Sequence, residues 1–171
     1  GRATVLAETF AHGFKDPEGA ALHPQTGELW TVDHGPQGGD EVNIVRAGRD
    51  YGWPDVSYGT QYDARQADGR KSVKVGTGAT AREGIEQPVY FWVPSIAPSG
   101  MMFYTGDLVP AWKGNLFVGA MAGQHLVRLV LDGESYGCDL LVASGGWQPA
   151  YSLLAQAGAR VEFHDSLGVF V

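Results

Sequence analysis

The sequence predicts a mostly β chain built from short strands in a repeating order, and three observations carry that expectation. Glycine and proline are abundant, 25 and 9 of 171 residues, and they fall between short apolar runs, the pattern of a turn-rich sheet protein. Some of those runs alternate with period two, as in Glu41-Val42-Asn43-Ile44-Val45, which suits a half-buried strand. One order of elements, a small-residue lead-in followed by three strands and their turns, occurs twice.

The first copy begins at Gly19-Ala20-Ala21-Leu22-His23-Pro24, reverses over Gln25-Thr26-Gly27 and returns through Glu28-Leu29-Trp30-Thr31-Val32-Asp33. Pro24 and Gly27 bracket the reversal, where a fixed φ and a permitted positive φ are wanted. Residues 41–45 give the third strand, and 47–54 form turns again. The second copy runs Ser99-Gly100-Met101-Met102-Phe103-Tyr104-Thr105-Gly106, then Gly114-Asn115-Leu116-Phe117-Val118-Gly119, then His125 to Leu131. The leading glycines Gly19 and Gly100 are 81 residues apart, about two propeller blades of roughly 40–45 residues each. Between the copies, Gln87 to Val93 reads as one strong strand, and residues 60–84 as a long polar surface loop. Together these predict a partial β-propeller over residues 1–132.

After Asp132 the pattern changes. Cys138-Asp139-Leu140-Leu141-Val142-Ala143 is a continuous apolar run suited to a buried parallel strand. Pro149 to Ala157 reads as a short helix with Gly158 as its stop, and Arg160-Val161-Glu162-Phe163 as a second strand. Residues 133–171 are therefore expected to form a strand–helix–strand tail, foreign to the propeller.

Bulk chemistry narrows the partners. A net charge of −7 disfavours nucleic acid and anionic membranes. No run reaches the roughly 18–20 apolar residues of a membrane span. Cys138 is the single cysteine, so no internal disulfide is open to the chain.

Four segments stand out as candidate chemistry. His34-Gly35-Pro36-Gln37-Gly38-Gly39-Asp40-Glu41 combines carboxylates with a loop able to turn its carbonyls inward, the oxygen set that Ca²⁺ takes; a tight interstrand loop with solvated acids accounts for it equally. Tyr51-Gly52-Trp53-Pro54 can anchor a loop on a core. Pro94-Ser95-Ile96-Ala97-Pro98-Ser99-Gly100 can line a pocket or close a blade. Gly119-Ala120-Met121-Ala122-Gly123-Gln124-His125 lets a ligand approach the backbone, or is a plain hairpin.

In this order and spacing, the four segments resemble the second half of the PQQ-dependent aldose sugar dehydrogenases, relatives of soluble glucose dehydrogenase. The match runs from about residue 11 to 131, some three blades of that family's six-bladed propeller. The resemblance implies oxidation of an aldose at C1 with transfer of a hydride to PQQ, a Ca²⁺ acting as Lewis acid and a histidine as general base. It implies that Gly35 and Pro36 offer carbonyls to a Ca²⁺ bridging to PQQ, and that Glu41 and the Tyr51 carbonyl hold a second Ca²⁺. Ser95, Gly123 and Gln124 would lie near PQQ, and Trp92 near the sugar. It further implies a periplasmic or secreted protein.

Two departures qualify the likeness. The family's Arg-Asn-Pro-Gln-Gly segment, which grips PQQ, is here Lys15-Asp16-Pro17-Glu18-Gly19. Lysine lacks the bidentate fork of arginine, and Asp16 opposes a tricarboxylate. The family's catalytic histidine belongs to earlier blades, and none of His12, His23, His34, His125 or His164 matches it. The expected chain is therefore not competent alone, and no catalytic residue is assigned. The alternative is a non-catalytic structural or binding module derived from a propeller. Uncovered sheet edges also predict self-association or a covering partner. The tail, from Cys138 to Pro149 and on to Val171, resembles a segment of the sarcosine oxidase large subunit. The Gly-x-Gly-x-x-Gly fingerprint of dinucleotide binding is absent, so the chain reads as a chimera.

Overall fold

In a computed structural model of the chain, the described residues are 8–62 and 73–131, with the strands Tyr136–Leu141, Phe163–His164 and Val169–Phe170. The fold is mostly β. Four strands, β1 (Pro17–Leu22), β2 (Leu29–Asp33), β3 (Asp40–Val45) and β4 (Tyr90–Trp92), make one sheet in chain order. A second sheet is built the same way from β5 (Pro98–Phe103), β6 (Leu116–Ala120), β7 (His125–Leu131) and β8 (Tyr136–Leu141). Every neighbouring pair in both sheets is antiparallel.

The β1–β2 reversal forms where the sequence places it. Gly27 adopts a positive φ of 71°, its N–H donates to the His23 carbonyl at 2.9 Å, and the N–H groups of Gln25 and Thr26 donate to His23 Nδ1. Both first strands carry a register irregularity near their start, between Pro17 and Gly19 in β1 and between Pro98 and Met101 in β5. At these points the two strands meet. A Cβ on Gly19 would lie 2.8 Å from the Met101 nitrogen, a contact only glycine permits.

The core is shared by the two sheets. Trp30 and Val32 of β2, Val42 of β3 and Trp92 of β4 pack with Phe103, Leu116, Val118, Ala120, Val127 and Leu129 of the second sheet. Alternation along each strand selects these residues. Leu116 and Leu129 are directly opposed on β6 and β7, and both are fully buried. Trp30 meets Phe103 edge to face at 5.5 Å, an arrangement favoured by the aromatic quadrupole.

Three expectations meet a different structure. The 81 residues between Gly19 and Gly100 are not two blades but one sheet with residues 46–89 inserted between its third and fourth strands. The described strands thus form two four-stranded sheets, where the resemblance implies about three blades. The run after Asp132 supplies β8, which pairs antiparallel with β7; a continuous apolar run looks alike in buried strands of either sense. The division between compact units accordingly falls after Leu141, and not near residue 132. Finally, residues 60–84 are not all surface: Val75 is buried, and bridges join Gln37 to Thr60, Thr60 to Lys74 and Val56 to Ala79.

The second unit, Val142–Val171, contains the short antiparallel pair β9 (Phe163–His164) and β10 (Val169–Phe170). The helix expected at 149–157 and most of the strand expected at 160–163 lie outside the described residues.

Candidate functional site

The site grows from the loop between β2 and β3. Its main chain is held at successive N–H groups. His34 donates to the Asp16 carbonyl at 2.9 Å, Gln37 to the Thr60 carbonyl at 2.9 Å, and Gly39 to the Trp92 carbonyl at 2.8 Å. The Gly35 N–H donates to Asp40 Oδ1 at 2.9 Å. The loop touches the insertion so closely that side chains are excluded. A Cβ on Gly35 would strike the Gly39 carbonyl, one on Gly39 would strike the Gly59 nitrogen, and one on Gly59 would strike the Gly38 oxygen.

This seating encloses a small cavity of about 10 Å³, room for one water or ion. Its lining includes Gly35 and Pro36, which the resemblance gives to one cation, and Glu41 and Tyr51, which it gives to a second; the two expected sets border one cavity. Asp33 and Lys15 border it as well, and the insertion contributes Trp53, Val56 and Ser57. The Tyr51 side chain is committed elsewhere: its hydroxyl donates to the Ile44 carbonyl at 2.7 Å and accepts the Arg46 N–H at 2.8 Å, and its ring stacks on Phe14. Only its main chain remains to act as a ligand.

Glu41 and Asp33 give the cavity its electrostatics. Burial pushes the Glu41 carboxyl up to about 7; the Asn43 amide, donating at 3.3 Å, opposes the rise, and the Asp33 and Asp40 carboxylates add to it. Burial likewise raises Asp33, against two N–H bonds, from Lys15 at 3.0 Å and from Asp16 at 2.6 Å. Asn43 Oδ1 and Thr31 Oγ1, on opposed residues of the same strand pair, are buried with no hydrogen-bond partner among the described residues. Those two atoms lie outside the cavity lining; the cavity itself, bordered by the Asp33 and Glu41 carboxylates and by main-chain oxygens, fits a hard divalent cation.

The residues expected around PQQ are distributed over three loops. Lys15 borders the cavity, with Nζ donating to the His34 carbonyl at 3.1 Å. Asp16 is exposed and lies with Glu18 and half-buried His34 in a group whose side-chain ligand atoms are all within 4.8 Å of one another. Two carboxylates beside a single lysine fit a tricarboxylate poorly. Ser95 donates to both oxygens of Asp40, at 3.0 and 2.8 Å. Gly123 and Gln124 form the β6–β7 turn, where Gln124 has a positive φ of 51° and the His125 ring fills the space a Gly123 side chain would need. Trp92, expected near a sugar, packs into the core with Tyr90 against its ring at 5.0 Å.

Sequence reasoning missed Asp33, whose only signal was an acidic residue ending a strand, and the insertion residues Val56 and Ser57; Trp53 belongs to the Tyr51–Pro54 segment, read as a loop anchor. It grouped Asp40 with the cation ligands, whereas its oxygens are occupied by protein donors.

Consecutive four-stranded antiparallel sheets packed through their first strands, with loops gathering oxygens at one place, define a partial β-propeller with a candidate cation site. The chain belongs to the glucose/sorbosone dehydrogenase family, whose model matches residues 1–161. That match enters the segment resembling sarcosine oxidase. The chain is 38% identical over 128 residues to aldose sugar dehydrogenase YliI of Escherichia coli, covering 75% of this chain and 33% of that protein. It superposes on a crystal structure of glucose dehydrogenase with a TM-score of 0.74 at 37% identity, over 85% of this chain and 40% of that one. The PQQ-bound form of aldose sugar dehydrogenase from Streptomyces coelicolor shares the fold, with a TM-score of 0.54 at 20% identity, over 77% of this chain and 32% of that one. The chain thus spans about a third of the length of the curated relatives it matches. No helix among the described residues is long and apolar enough to cross a membrane.

Proposed function

We propose that this chain carries a Ca²⁺ site and part of the cofactor face of a periplasmic, PQQ-dependent aldose sugar dehydrogenase, which oxidises aldoses at C1. One observation carries the reading: Gly35, Pro36, Glu41 and Tyr51, separated by up to 16 residues, line one ion-sized cavity. Glu41 supplies a carboxylate whose charge is costly without a cation. The main chains of Gly35, Pro36 and Tyr51 supply neutral oxygens. Ser95, Gly123 and Gln124 border the cofactor, and Lys15 contributes the positive charge nearest the cavity. Held beside these residues, a quinone would supply two-electron acceptance, and a cation on the Gly35 and Pro36 carbonyls would supply Lewis acidity. The chain's own residues bind, orient and exclude water; removal of the sugar's hydroxyl proton is assigned to none of them.

The competing reading, a non-catalytic module in which the cation is structural, is favoured by Asp16 and Glu18, which repel an anionic cofactor. Self-association or a covering partner belongs to either reading, and light scattering at working concentration tests it. A PQQ titration followed by tryptophan fluorescence, with and without Ca²⁺, separates the two. Saturable, Ca²⁺-dependent quenching supports the dehydrogenase face. Ca²⁺ binding without PQQ binding leaves the structural module, and failure of both removes the cation site.

A further inference from the structure

Asp40 is the first residue of β3 and is fully buried, 0% exposed. A carboxylate in that position is tolerated only if its oxygens are satisfied, and here they are satisfied by two separate segments, the β2–β3 loop and the loop at Ser95–Ala97. Oδ1 accepts the Gly35 N–H at 2.9 Å and Ser95 Oγ at 3.0 Å. Oδ2 accepts Ser95 Oγ at 2.8 Å, the Ile96 N–H at 2.7 Å and the Ala97 N–H at 3.1 Å. His34 Nε2 is 4.0 Å from Oδ1. Charge-assisted bonds of this kind are about twice as strong as neutral ones.

The chain of contacts continues. The Ile96 carbonyl accepts the Ala122 N–H at 3.0 Å, and the Ala97 carbonyl accepts the Met121 N–H at 2.9 Å. The turn holding Gly123 and Gln124 is therefore seated on the loop that Asp40 holds. Ala97 has a positive φ of 50°, a conformation that is strained for a non-glycine residue and persists only where surroundings impose it. Its N–H is bonded both to Asp40 and to Ser95 Oγ.

We infer that Asp40 is the positioning residue of the candidate site: through one buried carboxylate it couples the Gly35–Pro36 edge of the cation cavity to the Ser95–Ala97 loop and the Gly123–Gln124 turn. The inference rests on the cation reading of the cavity proposed above. It differs from a role in stability alone because neither Asp40 nor Ser95 lines the cavity, so an effect of either on cation affinity in a folded variant acts through the loops that their bonds hold.

The test uses the full chain and Tb³⁺, a luminescent stand-in for Ca²⁺ that Trp53 in the cavity wall is placed to sensitise. Wild type is expected to give saturable luminescence that Ca²⁺ displaces. Asp40→Asn replaces an acceptor oxygen with a donor nitrogen, and is expected to weaken Tb³⁺ at least tenfold while far-UV circular dichroism is retained. Ser95→Ala is expected to weaken it about threefold, and decides the matter where Asp40→Asn loses its fold. Wild-type Tb³⁺ affinity in a folded Asp40→Asn, or in Ser95→Ala if that variant must decide, overturns the inference. Absence of Tb³⁺ binding in wild type overturns the cavity reading itself, a different failure with a different signature.

Discussion

Asp33 and Glu41 stand directly opposite each other on β2 and β3, two largely buried carboxylates bordering one cavity. Like charges so placed repel, and the Asp33 charge contributes to the raised Glu41 pKa. A carboxyl whose pKa is raised by folding binds its proton more tightly in the native state. Its contribution is full below the ordinary value near 4.5 and is lost as pH rises through about 7. Asp33 is shifted in the same direction. The unfolding free energy measured by urea without metal should therefore fall between pH 5 and pH 8, by up to about 3 kcal/mol from Glu41. Glu41→Gln should flatten that fall. Identical pH profiles for variant and wild type would remove Glu41 as its source.

The Asp33 carboxylate also caps the main chain at Lys15 and Asp16. Asp33→Ala leaves both N–H groups without this acceptor, at a cost of about 2 kcal/mol. Hydrogen exchange at the amides of residues 15 and 16 should speed up more than at the β6–β7 pairs. Uniform acceleration across the chain would show a general loss of stability instead.

Gly59 has no room for a side chain, its Cβ direction being blocked by the Gly38 oxygen and, at 2.8 Å, by Pro36 Cγ. Gly59→Ala should push the insertion off the β2–β3 loop, costing about 1–3 kcal/mol and weakening Tb³⁺ binding. Gly100→Ala, where nothing lies within 4 Å, should change stability by no more than about 0.5 kcal/mol. Equal midpoints for the two variants would refute the close approach.

Leu129 is fully buried opposite Leu116, so Leu129→Ala should lower stability by about 2–5 kcal/mol through lost transfer energy and an unfilled cavity. Leu108 is 96% exposed, and Leu108→Ser should be near neutral. Chemical denaturation of both checks the difference in burial, and equal losses of stability would refute it.

Lys15→Arg combined with Asp16→Asn should tighten PQQ about tenfold or more, since a bidentate cation replaces a point charge and a repelling carboxylate is removed. Fluorescence quenching by PQQ measures it. Unchanged affinity would place the cofactor away from this segment.

How much of this was legible depends on distance along the chain. Period-two alternation marks β3 and the apolar runs mark β2, β6 and β7, because their partners are a turn away and each face is set by the next few residues. Pairing of β3 with β4 across residues 46–89 leaves no local trace, so the 81-residue interval reads as an extra blade. Gly35, Pro36, Glu41 and Tyr51, singled out by resemblance as ligands of two cations, border one cavity. Trp53, Val56 and Ser57 reach the cavity only because glycines at 35, 39 and 59 let two loops interlock, a condition visible in three dimensions. Asp40 beside Glu41 looks chemically identical in one dimension. Strand alternation sends the two side chains to opposite faces, one toward protein donors and one toward the cavity.

The placement of residues 46–89 also orders events in time. Every residue lining the cavity falls between Gly13 and Ser57, so a growing polypeptide has the whole cavity wall before Tyr90 is added. Ser95, Ile96 and Ala97, the donors that quiet the Asp40 charge, arrive later still. Until they do, the Asp40 carboxylate at the rim of the first sheet has only the Gly35 N–H of these donors. The last turn of synthesis through this region is then what converts a loosely formed pocket into a fixed one.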